Sequence, residues 1–263
     1  WIQKKVDDVG QWMAIKKKEF AARGTSPQTG LPMAFEVHHR ISHCVYKGAM
    51  SNVFVVEHML SKTRQLAKIV DRTNPLAGAL FGDDEEVRKT VAFHRNVLQE
   101  HPIRSAMPWA ISVLHRRICR YVGIYVSPHF LIFTVESFGV PGKTESLRQR
   151  MERNIASGTS ISETDALEVF NQIMQAVEFL HTKDVVHRDL RPEHVLFRDS
   201  ESHRLKIIGL ENGRVIRRDW VDPFVRPMVI LYTPPEVLQD QRWSTSADIW
   251  SCGCILHEIL VGR

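Results

Sequence analysis

The strongest constraint on this chain is a polar stretch held between apolar ones. Val185-Val186 and Val195-Leu196-Phe197 bracket His187-Arg188-Asp189-Leu190-Arg191-Pro192-Glu193-His194, where six of eight side chains are ionisable. Short apolar runs bounded by polar residues read as buried strands, so the polar octet reads as the loop joining two of them. Leu205 to Ile208 supplies a third strand, reached through a turn at Asp199-Ser200-Glu201-Ser202. Just upstream lies the clearest helix, Glu163 to His181. Ser162 is its expected cap, and Ala166, Val169, Phe170, Ile173, Met174, Val177 and Leu180 fall on one stripe.

Earlier segments alternate differently. Val53 to Val56 and Gln65 to Val70 read as a hairpin across Leu60-Ser61-Lys62-Thr63, and Tyr125 to Val135, broken at Ser127-Pro128, as another. Ala247 to Leu260 is a strongly apolar helix. Strands first and helices afterwards imply an α+β, bilobal fold, β-rich in its first half. The partition expected is 1–40 as an extension, 41–138 as the first lobe with its connector, and 139–263 as an incomplete, C-terminally truncated second lobe. No apolar run reaches membrane-spanning length, so no membrane partner is expected. The net charge of +5 is spread over small clusters such as Lys16-Lys17-Lys18, which read as solvated faces and not as a nucleic-acid surface. Cys44, Cys119, Cys252 and Cys254 lack paired spacing, which favours a reducing, cytoplasmic setting. His38, His39 and His43 have no accompanying cysteine or carboxylate set, so no metal site is assigned to them.

The octet and two later blocks carry a family resemblance. His187-Arg188-Asp189-Leu190 is followed by Pro234-Pro235-Glu236 and by Ser246-Ala247-Asp248-Ile249-Trp250-Ser251-Cys252-Gly253. In this order and spacing they resemble the protein kinase superfamily, nearest to serine/threonine kinases of the calcium/calmodulin-dependent type, from about residue 41 to the end. The resemblance implies that Asp189 is the catalytic carboxylate, that Arg191 stands for the Lys contacting the transferred phosphate, and that Asp248 braces the loop. Arg and Lys are not interchangeable at such a position. It also implies that Lys68 is the strand lysine of the nucleotide site, that Gly48 is the middle glycine of a phosphate loop whose outer positions are Tyr46 and Ser51, that Val53, Ala67 and Leu196 sandwich adenine, that Val135 is the gatekeeper, and that Glu136 to Phe138 form the hinge. The glutamate partner of Lys68 stays open among Glu85, Glu86 and two registers without a Glu, at Ala110 and near His101-Pro102-Ile103.

The departures concern metal. The loop Asn is His194, and fifteen residues later Gly209-Leu210-Glu211 stands where Asp-Phe-Gly is expected. Magnesium seeks oxygen ligands, which glycine and imidazole do not offer. Glu211 is the one nearby carboxylate available for rescue. Between Gly209 and Leu231 there is no Ser, Thr or Tyr, and Met228-Val229 replaces the Gly-Thr that usually precedes Tyr232. The expected function is therefore a pseudokinase, a regulatory or scaffolding module for protein partners. ATP is an expected ligand only in a metal-independent mode, magnesium is not expected, and oligomeric state is left open. The alternative is a weakly active or noncanonical serine/threonine kinase using Lys68, Asp189 and Glu211. A second, weaker resemblance, of Trp12 and Thr25-Ser26-Pro27-Gln28-Thr29-Gly30-Leu31-Pro32-Met33 to the latter half of a U-box, suggests a third reading as the substrate-recruiting part of a ubiquitin ligase.

Overall fold

A computed structural model describes residues 31–36, 38–81, 83–94, 115–139, 143–216, 229–240 and 243–262. The U-box-like stretch up to Gly30 therefore lies outside the described residues, as do Ala110 and His101. The chain resolves into two units, one ending at Ser137 and the other continuing from Phe138, with residues 115–120 belonging to the second.

The first unit is built on a five-stranded antiparallel sheet. A short helix α1 (Met33–Glu36) precedes strands β1 (His39–Lys47), β2 (Ser51–His58) and β3 (Arg64–Asp71). Helices α2 (Pro75–Phe81) and α3 (Asp84–Phe93) follow, then β4 (Tyr121–Val126) and β5 (Phe130–Glu136), with spatial order β1-β2-β3-β5-β4. Both hairpins expected from alternation are present, and Ser127 sits at the break between β4 and β5, where its hydroxyl accepts from Phe130 N–H at 3.0 Å. Phe54, Val56, Ala67, Ile69, Phe130 and Ile132 make one buried face, closed by Leu31 and Phe35 from the entering chain. His39 fixes that entry: one ring nitrogen meets the Phe35 carbonyl at 3.2 Å, the other Gln65 Oε1 at 3.2 Å, and the ring stacks on Phe35. Burial holds its pKa below the usual histidine value, with small contributions from His58 and His38. Arg72 ties the helices to the sheet by donating to the Phe81 and Ser127 carbonyls and to Asp84, at the start of α3.

The second unit is largely helical. It holds β6 (Glu145–Ser146), α4 (Leu147–Ala156), α5 (Glu163–His181), β7 (Val185–Val186), β8 (Val195–Phe197), β9 (Leu205–Ile207), β10 (Arg214–Val215), α6 (Pro235–Asp240) and α7 (Thr245–Val261). The α5 boundaries are those the stripe predicts, and the Ser162 side chain accepts from Asp165 N–H as the cap. Buried Gln172 on α5 pins the β8–β9 hairpin, donating to the His203 carbonyl at 2.7 Å and accepting from Leu205 N–H at 3.3 Å. α4 opens with a reciprocal capping box between Ser146 and Gln149. Among the described residues no helix is long and apolar enough to cross a membrane.

Candidate functional site

The sheet unit presents one face through Lys68. Side chains alternate along a strand, so residues 66 and 68 share a face and residue 67 takes the other. Lys68 registers with Val53 on β2, and Leu66 with Val135 on β5; all four are partly exposed. Ala67 is fully buried against Phe54 and the core cluster. Ala67, expected to line the nucleotide, faces the core here, whereas Leu66, one residue earlier, shares the face of Lys68 and Val135. Gly48 sits in the β1–β2 turn and donates to the Ser51 carbonyl at 2.9 Å. A Cβ there would lie 2.8 Å from Cε1 of Tyr46, so the ring of Tyr46 lies over the one retained glycine. Of the two glutamates offered for Lys68, Glu85 is exposed, whereas Glu86 is partly buried, 3.7 Å from Lys89.

In the helical unit, the polar octet hangs from α7. The carboxylate of Asp248, 1% exposed, accepts from His187 N–H at 2.8 Å and Arg188 N–H at 3.0 Å, and meets His181 Nε2 at 2.9 Å. Two adjacent amides on one carboxylate force a tight bend, and Arg188 takes φ +70° there. His187 adds a second brace: Nε2 donates to the Ile208 carbonyl at 2.9 Å and Nδ1 accepts from Asp189 N–H at 3.3 Å. A carbonyl accepts and an amide donates, so both contacts are met by the neutral ring protonated at Nε2.

Asp189 is 7% exposed and its carboxylate is engaged on both oxygens. Arg191 Nε lies 3.2 Å from Oδ1, and Asn212 Nδ2 donates to Oδ2 at 3.3 Å. His194 follows in the short 3-10 turn Pro192–His194. Its Nδ1 lies 2.7 Å from the Asp189 carbonyl, and its Nε2 3.4 Å from Arg191 Nη2. A carbonyl only accepts and a guanidinium only donates, so these contacts select the neutral ring with its proton on Nδ1 and its lone pair toward Arg191.

Gly209 completes the arrangement. It follows β9 and caps the 3-10 turn Leu210–Asn212 with φ +93°, a left-handed conformation that favours glycine. A Cβ built on it would collide with Nδ1 of His194 and lie 2.7 Å from both Cγ and Cε1 of that ring. The two positions where the sequence departs from expectation are thus in direct contact. The turn that Gly209 opens buries Glu211 and Asn212, each 6% exposed, beside the loop.

Leu196 is the middle residue of β8, partly exposed and registered with Ser146 and Lys206. Phe138 lies in the helical unit, its carbonyl accepting from Thr144 at 2.9 Å and its ring 5.5 Å from Lys206 Nζ, while Glu136 ends β5 in the sheet unit.

Several participants escape sequence reasoning. Trp243 places its ring 4.9 Å from the Arg188 guanidinium, and the two line a small pocket with Asp189, Leu190, Val229, Tyr232, Thr233 and Ser251. Arg148 on α4 donates to Glu193 at 3.1 Å, to the Tyr232 hydroxyl at 2.6 Å and to Glu258 at 2.9 Å, and Tyr232 donates to Glu258 at 2.7 Å. Burial, and then the hydrogen bond to Glu258, raise the Tyr232 phenol above the usual tyrosine range. Asn212 and Trp243 had no signal beyond their proximity to the motifs. Arg148 could have been suspected only as one of two basic residues, with Arg150, in the first turn of a helix.

Comparison with known proteins places this geometry in context. A family profile described as "Protein kinase domain" matches residues 83–263. The chain is 32% identical over 165 residues to a probable myosin light chain kinase of Dictyostelium discoideum, covering 61% of this chain and 32% of that protein. It is 43% identical over 103 residues to a calcium and calcium/calmodulin-dependent serine/threonine-protein kinase of Oryza sativa subsp. japonica, covering 38% of this chain and 20% of the relative. A longer match, 28% over 239 residues, is to CBL-interacting protein kinase 20 of the same plant, covering 87% of this chain and 44% of the relative. The chain thus spans less than half the length of each of these three. A crystal structure of a kinase domain superposes with a TM-score of 0.63 at 18% identity, covering 86% of this chain and 65% of the other, and supports the fold alone.

Proposed function

Because the chain belongs to the protein kinase family, we propose that it works as a kinase-fold regulatory or scaffolding module that engages protein partners without transferring phosphate. Kinase domains in general bind ATP, and nucleotide binding that needs no metal is part of this reading. The observation that carries it is the contact between His194 and Gly209. Kinases hold magnesium through an Asp carboxylate and an Asn side-chain oxygen. Here Gly209 has no side chain, and His194 offers nitrogen to an ion that prefers oxygen. Both ring nitrogens of His194 already face partners, Nδ1 the Asp189 carbonyl and Nε2 Arg191. The residues at these two positions do not fit a magnesium ion, and no chemical step is routed through one.

The four cysteines described are all free thiols, which supports a reducing, cytoplasmic setting. The burial of Glu211 and Asn212 beside the loop, with Asn212 donating to Asp189, favours a second reading, a weakly active serine/threonine kinase in which Asp189 still accepts a hydroxyl proton and Glu211 or Asn212 supplies oxygen. Transfer of labelled phosphate from ATP, with magnesium or manganese, separates the two. The full-length protein and an Asp189→Asn variant are expected to give the same background signal. Transfer that disappears in the variant would overturn the scaffold reading and establish the enzyme.

A further inference from the structure

We infer that His194 and Gly209 form one interlocked unit that excludes a divalent cation by packing, with the Arg191 guanidinium as the resident cation of the site. This rests on the reading above and deepens it. The imidazole occupies the space that any side chain at 209 would enter, since a Cβ there meets Nδ1, Cγ and Cε1 of the ring together. A ring held between the Asp189 carbonyl and Arg191 cannot swing aside without giving up both contacts. Arg191 lies against both the carboxylate of Asp189 and the ring of His194: its Nε is 3.2 Å from Asp189 Oδ1, and its Nη2 is 3.4 Å from His194 Nε2. Its positive charge is covalently attached and screened little at a site this buried, so it opposes a second cation placed at the same point.

The inference goes beyond missing ligands. A site that only lacked ligands would recover when a carboxylate was restored at position 209, a conformation that Asp tolerates better than most residues. An interlocked site would not recover, because the new side chain and the ring exclude each other. Positions 194 and 209 must then be energetically coupled, and their substitutions non-additive.

The test is a double-mutant cycle on the full chain with Gly209→Asp, His194→Asn and the double variant, following thermal unfolding in EDTA and in millimolar manganese(II). Gly209→Asp alone is expected to lower the midpoint by about 5 °C or more, and the same change on the His194→Asn background to cost clearly less, the left-handed backbone strain alone remaining. Manganese should leave the wild-type midpoint unmoved and raise that of the double variant. Should Gly209→Asp fail to fold while the double variant folds, the coupling is supported. Equal cost in both backgrounds, failure of both to fold, a manganese shift in the wild type, or none in the double variant would overturn the inference. An additive cycle would leave the scaffold reading standing, whereas phosphate transfer by the wild type would sink that reading and leave the measured coupling between 194 and 209 untouched.

Discussion

The loop from His187 to His194 is held differently at its two ends. At its start, the backbone amides of His187 and Arg188 converge on Asp248, a buried carboxylate that also meets His181, and His187 clasps Ile208 from the other side. At its finish, His194 rests on Gly209 and Arg191. The first end is backbone carried by charge; the second is a side chain filling a space left by another. The difference teaches that bracing and chemistry are separable in this fold. Asp248 is needed for the loop to have its shape at all, and no phosphate enters that requirement, so its retention says nothing of transfer.

The sharpest way to break this contrast is at Asp248. Replacing it with Ala removes the acceptor for two buried amides and the partner of His181, and is expected to cost about 3–5 kcal/mol in urea unfolding. A cost no larger than that of the second end's variants would mean the loop is not hung from α7. Next comes Gly209→Ala, which adds no charge and no ligand. The left-handed backbone and the overlap with His194 together predict a loss of about 2–4 kcal/mol, read from the same urea curves. Asn212→Ala should be milder, about 1 kcal/mol, since it removes one 3.3 Å hydrogen bond to Asp189. A loss above that of Gly209→Ala would shift the weight of the second end from the interlock to the Asn212 clasp.

The smallest effect is a rate and reports on the first end alone. Cys252 lies one helical turn beyond Asp248, 1% exposed, and its thiol is pushed up to about 12 by burial and then by the Asp248 charge. At pH 8 about one such thiol in ten thousand is ionised, so alkylation followed by mass spectrometry should find Cys254, which is partly exposed, modified well before Cys252. Asp248→Asn should speed labelling of Cys252 through local opening, and Asn212→Ala should leave it unchanged. The raised value also fixes a sign. The unfolded chain loses the thiol proton near pH 9, before the folded one does, so stability falls as pH rises above 9, and Cys252→Ala should flatten that slope.

How much of this was legible depended on the range of the cause. Strands, hairpins and the long helix followed from alternation and capping, which act within a few residues, and the bounds of Glu163–His181 came out whole. The same alternation, applied one residue at a time, turns Ala67 to the core and Leu66 to the face of Lys68. At the site, His194 and Gly209 were legible as departures, each by itself. Their contact was not, because it joins a 3-10 turn to the second residue after β9 across fifteen positions, and nothing in either residue type announces it. Asn212 on Asp189, Trp243 against Arg188, and Arg148 among Glu193, Tyr232 and Glu258 were illegible for the same reason: packing brings them together, and no local pattern encodes it.

The contact between Gly209 and His194 also imposes a direction on descent. Under the interlock inferred above, a ring at 194 beside a side chain at 209 costs stability, so from a chain with Asp and Asn at these positions the easier order is loss at 209 first and the histidine second. Going back, the order reverses, an acid returning at least cost after the histidine has left, and on the proposed reading neither step alone makes a place for metal. Selection that rewards catalysis finds no single-substitution route home, and the two positions work together as a ratchet.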